Sequence, residues 1–280
     1  MQSGRPVIVN LACTGVVPTR RMSAHVPITH DEILHDVAEC MALGVQMVHL
    51  HARDHTGVQT NDPEPYGRLI ESIRALPGGQ ELVVGVTTSG RNAPDFESRR
   101  RVLTLDGVAK PDMASLTLSS LNFVQAASLN APDTIRRLAQ AMLEYGIKPE
   151  LEVFDLGMAN FAKVLLAEGL VKAPLYVNVL LGNIASAQAD LLQLAAILAA
   201  LPSDCIVSIA GIGRFQLEAN AMGLVVADGV RVGLEDNLWF DLGRTRSATN
   251  ADLVNRVVRM ATDLERPLIS STALRSRLAL

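Results

Sequence analysis

Aromatic residues make up only 4 % of this 280-residue chain and charged residues 19 %, against 49 % hydrophobic. Its core must therefore be built from aliphatic and alanine side chains, and so much of them excludes a disordered or low-complexity chain. No block of one charge sign occurs: 25 Lys and Arg against 29 Asp and Glu leave a net charge of −4. A nucleic acid or an anionic membrane surface would find no electrostatic footprint here. Long apolar runs are missing too. The stretch from Leu194 to Pro202 is among the longest, well short of the ~20 residues that span a bilayer, so a soluble protein is expected. The start, Met1-Gln-Ser-Gly-Arg-Pro6, runs straight into strand-like sequence without a secretory apolar core. Cysteine is scarce and odd in number: Cys13, Cys40 and Cys205 cannot build a disulfide framework and point to reduced thiols in a cytoplasm. The most pointed shortage is histidine. His25, His30, His35, His49, His51 and His55 are the complete set, and none follows residue 55.

What is present is an alternation of short β-rich runs with longer helical patterns. Strands are expected at 7–14, 46–51, 82–87, 113–118, 149–154, 175–180, 205–210 and 229–233, and helices near 31–43, 64–76, 94–104, 132–145, 158–170, 186–201, 214–226 and 249–263. The first helix shows the signal well. Thr29 and Glu32 have capping-box spacing, Ile33, Val37, Cys40 and Met41 repeat at helical spacing, and Gly44 follows as a stop. Such alternation implies a parallel sheet with helical crossovers. Eight repeats with no linker and no change of composition favour a (β/α)8 TIM barrel, an α/β fold, over a doubly wound sheet. Barrels fill this length as one unit, so a single domain over 1–280 is expected.

Barrel strands alternate between the lumen and the helices, so polar side chains that serve a site should share a parity. His49 and His51 share one face of their strand while Val48 and Leu50 take the other. Ser115, Thr117 and Ser119 alternate with Leu116 and Leu118, Glu150 and Glu152 with Leu151 and Val153, and Asn178 lies between Val177 and Val179. Arg231 shares its side with Gly233 and, if the chain stays extended, with Glu235. A hydrogen-bonded lining without chemistry would satisfy some of these groups. It does not account for their clustering toward the C-terminal ends of the strands, where barrel enzymes keep their sites.

An i, i+2 histidine pair on a strand directs both imidazoles at one point, close enough to ligate a single metal ion. His-x-His alone is a weak signal, and its position at the end of the second strand is what strengthens it. A catalytic site needs a third protein ligand. No later histidine exists, so a carboxylate must serve, and Gly233-Leu-Glu-Asp-Asn237 offers two at the end of the eighth strand. In a closed barrel that strand neighbours the first, which brings Glu235 within reach. The bland alternative has Glu235 and Asp236 capping the next segment and pairing with Arg231. A binuclear amidohydrolase, with His-x-His on its first strand and histidines on its fifth and sixth, does not match. Two histidines and a carboxylate suit zinc for non-redox Lewis-acid work, or Fe(II).

Five stretches together resemble the β-keto acid cleavage enzymes: Ala12-Cys-Thr-Gly15, Val48-His-Leu-His-Ala-Arg-Asp54, Thr87-Thr-Ser-Gly90, Ala114-Ser-Leu-Thr-Leu-Ser-Ser-Leu-Asn-Phe123 and Arg231-Val-Gly-Leu-Glu-Asp-Asn237. The similarity runs from the first strand to the last helix. It implies a zinc-dependent (β/α)8 barrel converting a β-keto acid and acetyl-CoA into acetoacetate and the shortened acyl-CoA. By the same resemblance His49, His51 and Glu235 bind Zn2+, Asp236 is the catalytic aspartate, Arg231 orients it, and Thr87, Gly90 and Thr117 contact substrate. Thr87 replaces a serine and keeps the hydroxyl. Val17 stands where the aminohexanoate-cleaving member has a glutamate for the substrate ammonium. That exchange argues against an amino-substituted acid and leans toward an uncharged tail, although Arg20 and Arg21 close by leave an anionic one open.

The parts imply enolate formation at zinc with Asp236 as base, attack on acetyl-CoA, addition of the freed CoA thiolate to the ketone, and retro-Claisen cleavage. Gly211-Ile-Gly-Arg214 follows the seventh strand where barrels often bind phosphate, so Gly211, Gly213 and Arg214 are candidate CoA contacts, with a glycine-requiring turn as the alternative. The helix at 186–201 has too few polar positions for a solvated face, which favours a homo-oligomer, a dimer or tetramer. Competing functions are a metal-dependent aldolase or lyase without CoA, and a non-catalytic binding barrel with a structural metal.

Overall fold

Short runs of Val, Ile and Leu that are buried on both faces form the strands of this protein, as parallel sheets under helices require. A computed structural model describes residues 4–280. In chain order the strands are β1 (Ile8–Ala12), β2 (Met47–Leu50), β3 (Val83–Val86), β4 (Met113–Thr117), β5 (Leu121–Asn122), β6 (Ala127–Ser128), β7 (Lys148–Val153), β8 (Leu175–Leu181), β9 (Cys205–Gly211) and β10 (Gly229–Val232). The helices are α1 (His30–Ala42), α2 (Pro63–Ala75), α3 (Phe96–Arg100), α4 (Pro132–Tyr145), α5 (Leu156–Ala167), α6 (Leu191–Ala200), α7 (Gln216–Val226), α8 (Asn250–Asp263) and α9 (Ser271–Leu278). Eight strands close into a parallel barrel in the order β1-β10-β9-β8-β7-β4-β3-β2, and β5 pairs with β6 as a small hairpin. The expected (β/α)8 architecture is present. Closure comes from β10 lying beside β1, with Asn10 opposite Arg231.

The expected capping box of α1 is made: the Glu32 backbone N–H donates to Thr29 Oγ1 at 3.3 Å, and the Thr29 N–H donates to Glu32 Oε2 at 3.0 Å. Other boundaries shift. The helix expected at 94–104 is the short α3 followed by a 3-10 turn, Arg101–Thr104. The run expected at 186–201 becomes helical only at Leu191, because Asp190 caps it by accepting from the Gln193 N–H at 2.9 Å. The β5–β6 hairpin and α9 were not anticipated.

Parity separates two cores. Side chains pointing outward, such as Val48, Leu50, Val84, Leu116, Leu151 and Val177, pack under the helices. Those pointing inward at the N-terminal end, Ile8, Met47, Val83, Met113, Tyr176 and Ile206, form a second apolar layer closed by Leu274 and Leu278 of α9. The helix is tied down by ion pairs. Asp112 accepts from Arg275 at 2.8 Å and Arg74 at 2.6 Å, and Asp228 pairs with Arg277 and Arg5. With one end plugged, polar lumen residues sit above an apolar floor and face the C-terminal mouth.

Candidate active site

β2 is straight and buried, so its alternation sends His49 into the lumen beside Ala12 of β1 and Gly85 of β3. Gly85 carries no side chain, and a Cβ there would lie 3.3 Å from Glu150 Oε2. His51 follows on the same face. Beyond β1, its neighbour β10 delivers Arg231 and then bends at Gly233, whose φ of +149° and closeness to the Ala12 backbone leave no room for a side chain. The extended path assumed for residues 231–235 is therefore not followed. A turn carries the Glu235 N–H onto the Ala12 carbonyl at 3.1 Å and the Asp236 and Asn237 N–H groups onto Gly233 O at 3.2 Å each.

That turn brings together the residues singled out by spacing. His49 Nε2 and His51 Nε2 are 3.1 Å apart, and His51 Nε2 is 3.2 Å from Glu235 Oε1. One ligand atom from each of His49, His51 and Glu235 lies within 4.8 Å of the others. Ligands at about 2.0–2.1 Å from a tetrahedral zinc would themselves be about 3.3 Å apart. Two further features fit a cation. His49 Nδ1 is 2.7 Å from Glu150 Oε2, and donation of its proton there leaves the Nε2 lone pair facing the site. Glu235 Oε2 is buried with no hydrogen-bond partner, a costly state for a carboxylate oxygen unless a cation meets it.

Arg231 is the other centre. It is 2 % exposed and holds Asp236 through two contacts, Nε to Oδ2 at 3.0 Å and Nη2 to Oδ1 at 3.1 Å. Its Nη2 also lies 2.8 Å from Glu235 Oε1, and its Nη1 3.5 Å from Glu152 Oε1. The ionisation states follow from burial against charge. Burial pushes Glu235 up, but Arg231 and the two histidines outweigh it and hold the carboxyl well below its ordinary range. For Asp236 burial prevails over Arg231, and its proton affinity is raised. Burial likewise lowers His51, whereas in His49 the Glu150 carboxylate overcomes it and the pKa is raised.

Strand parity puts Glu150 and Glu152 on the lumen face but gives them no role. Glu150 accepts from Asn10 Nδ2 at 2.8 Å and from Asn178 Nδ2, so it anchors the layer beneath His49. Glu152 accepts from Thr117 Oγ1 at 2.5 Å while facing Arg231. A pair of glutamates two apart on a buried strand was the signal that could have assigned them.

The remaining candidates are placed as follows. Thr87 directly follows β3, its N–H donating to Leu50 O at 3.2 Å, and its Oγ1 accepts from the Ser89 N–H at 3.0 Å. Gly90 lies in the loop beyond, where a Cβ would stand 2.8 Å from Arg99 Nη1 and 2.9 Å from Leu129 O. The Gly213 N–H is taken by Asp236 O at 2.6 Å, and Gly211 packs against the Phe215 backbone. Both glycines thus serve the turn, and only the exposed side chain of Arg214 is turned to a cleft, shared with Trp239, Phe240, Arg244 and Arg256. Arg20 is paired with Glu32 on the surface, and Arg21 is exposed.

Two histidines, a glutamate and an Arg–Asp pair thus gather at the C-terminal mouth of a closed parallel barrel, the end where barrel enzymes keep their sites, and form a candidate metal site. The family profile described as beta-keto acid cleavage enzyme matches residues 6–280, and the chain belongs to that family. A relative from Cupriavidus necator, named 3-oxoadipate:acetyl-CoA acetyltransferase, is 33 % identical over 279 residues, covering 99 % of this chain and 95 % of its own. Another from Fusobacterium nucleatum, named 3-keto-5-aminohexanoate cleavage enzyme, is 31 % identical over 276 residues and 98 % of each chain. Among solved structures, the binary complex of ObcA with oxaloacetate aligns with a TM-score of 0.82 at 19 % identity, over 92 % of this chain and 68 % of that longer one. The structural likeness speaks for the fold.

Proposed function

We infer that this chain cleaves β-keto acids with acetyl-CoA as co-substrate, yielding acetoacetate and the shortened acyl-CoA, and we propose that zinc occupies the His49–His51–Glu235 site. The observation that carries the reading is the Arg231–Asp236 clamp placed directly against that ligand set. A bound divalent ion would supply Lewis-acid stabilisation of the negative charge that develops on the keto acid. Asp236 takes the proton from C2, and its raised proton affinity, set by burial against Arg231, suits a base. Arg231 keeps both Asp236 oxygens fixed, so the proton is taken along one direction. The C2 carbanion attacks the acetyl-CoA carbonyl and frees CoA thiolate; the thiolate adds to the original ketone, and the bond from that carbon to C2 breaks. Asp236 then returns its proton to C2 of the departing acetoacetate. Thr87, Gly90 and Thr117 line the path of the acid. No cysteine takes part: burial pushes Cys13 up to about 12, and Cys40 is raised further still.

The CoA phosphates would meet Arg214 in the cleft it shares with Arg244 and Arg256, while Gly211 and Gly213 shape the turn that presents it. Residues 1–280 act as one barrel domain. We place the protein in the cytoplasm, in keeping with its three free cysteines, and as a homo-oligomer, a dimer or tetramer, because α6 leaves Leu191 and Leu192 67 % and 81 % exposed. No helix among the described residues is long and apolar enough to cross a membrane.

The test is purified protein given a β-keto acid with and without acetyl-CoA. Acetoacetate is expected only with the thioester. Cleavage without it would favour an aldolase or lyase, and no cleavage under any condition a binding barrel. Metal analysis should find one zinc per chain, lost in His49→Ala; unchanged metal content in that variant would remove the ligand set.

A further inference from the structure

Arg91, in the loop after β3, is one arginine at the mouth whose charge the described residues leave unmatched. It makes no ion pair among them, and its guanidinium donates no hydrogen bond to them; its backbone N–H alone bonds, to Ser89 Oγ at 3.3 Å. The guanidinium carbon lies 3.7 Å from the centre of the Phe123 ring, and Phe123 is braced edge-on against Phe154 at 6.0 Å. Stacking uses the flat face of the group and leaves the N–H edge open, which is the geometry that grips a carboxylate through two parallel bonds. The side chain is half-buried, and Glu152 and Glu235 are near enough to act on its charge, so it belongs to the same mouth as the ligand set. Three other arginines around the mouth are engaged. Arg99 is spent on Thr88 O and Asn130 Oδ1, Arg53 on the carbonyls of Gly15 and Pro18, and Arg20 on Glu32.

We propose that Arg91 is a specificity residue that binds a carboxylate at the far end of the acid's tail, so that the preferred substrate is a dicarboxylic β-keto acid. This rests on the cleavage reaction above and reverses the uncharged tail inferred from Val17, which is itself surface-exposed. The experiment compares two six-carbon β-keto acids, one ending in a methyl group and one in a carboxylate, on wild type, Arg91→Gln and Arg91→Lys, with acetyl-CoA titrated separately. The wild type should prefer the dicarboxylic acid. Arg91→Gln should reduce that preference about 10- to 100-fold, through KM for the acid, as loss of a charged hydrogen-bond pair predicts. Arg91→Lys should recover part of it, a point charge replacing a fork. An equal loss for both acids, or a rise confined to the acetyl-CoA KM as a phosphate contact would give, overturns the assignment. A wild type that turns over the methyl-ended acid and shows no preference overturns Arg91's role while leaving the reaction standing. Turnover of neither acid removes the reaction and this role together.

Discussion

Arg231 is a buried cation surrounded by Asp236, Glu235 and Glu152, and none of the four would be tolerated in the lumen alone. Removing one member of a buried ion pair typically costs about 3–5 kcal/mol, so these side chains are tests of stability as well as of chemistry. Asp236→Asn is the cleaner probe because it keeps the shape and discards the base. Turnover should fall about 10²- to 10⁴-fold, with metal content unchanged by metal analysis; a variant that keeps wild-type kcat would remove Asp236 from the mechanism. Gly15 tests the ligand set from outside it. Its φ is +75°, and a Cβ there would sit 2.5 Å from Glu235 Cγ, so Gly15→Ala must push the glutamate aside. We expect weaker metal retention on dialysis from a residue that offers no ligand atom. Retention equal to wild type would show that Glu235 is not held in place by this contact. These positions differed in how readily they could be read. The histidine pair announced itself by i, i+2 spacing, and the shortage of later histidines called for a carboxylate. Glu150 gave only its parity, since its role depends on a His49 ring 101 positions away.

Among the elements, α1 carries its own start signal, and Glu32 does two things there: it accepts from the Thr29 N–H and pairs with Arg20. Its carboxyl is lowered to about 2, chiefly by the hydrogen bond from Arg20. A carboxyl depressed in the folded state adds stability above its unfolded pKa and loses it as pH falls through the folded one. Glu32→Gln keeps an acceptor for the cap and discards the charge. Its melting temperature should therefore lie only slightly below wild type at pH 7, because an exposed pair contributes little. The gap should close as pH drops from about 4.5 toward 2. A gap that persists at the acid end would assign the effect to packing. Elements with such caps or clear periods could be read along the chain. The sequence puts the start of α6 too early because Ser186 offers a plausible cap ahead of the actual one, Asp190, and β5 and β6, two residues each, are too short to show a period.

Closure of the barrel decides the rest. α9 offers only Leu274 and Leu278 to a core, at a spacing too sparse to signal a helix, yet those two side chains complete a floor made by six other segments. Leu278→Ala should lower stability by about 2–5 kcal/mol, as cavities in well-packed sites do, without loss of bound metal at the opposite end. A melting temperature equal to wild type would mean the floor stands without α9. Exposed Leu192 belongs to the same level of organisation: for the proposed homo-oligomer, Leu192→Glu should give a smaller species on size-exclusion chromatography, and an unchanged elution volume would remove α6 as its interface.

Spacing, capping and composition act between near neighbours, and so strand parity, the eightfold alternation, the His-x-His pair and the family motifs could all be read from the order of residues. Glu235 falls within reach of the histidines on the same grounds, but the contacts themselves, and the partner of His49, depend on packing across the closed barrel. Glu235 reaches His51 over 184 positions only because Gly233 bends the chain after β10 and β10 lies beside β1. The same closure sets the His49–Glu150 pair, leaves the Arg91 guanidinium stacked on Phe123 without an ion pair among the described residues, and buries Asp236 deeply enough to raise its proton affinity. Desolvation and convergence are properties of an assembled interior, and no local pattern encodes them.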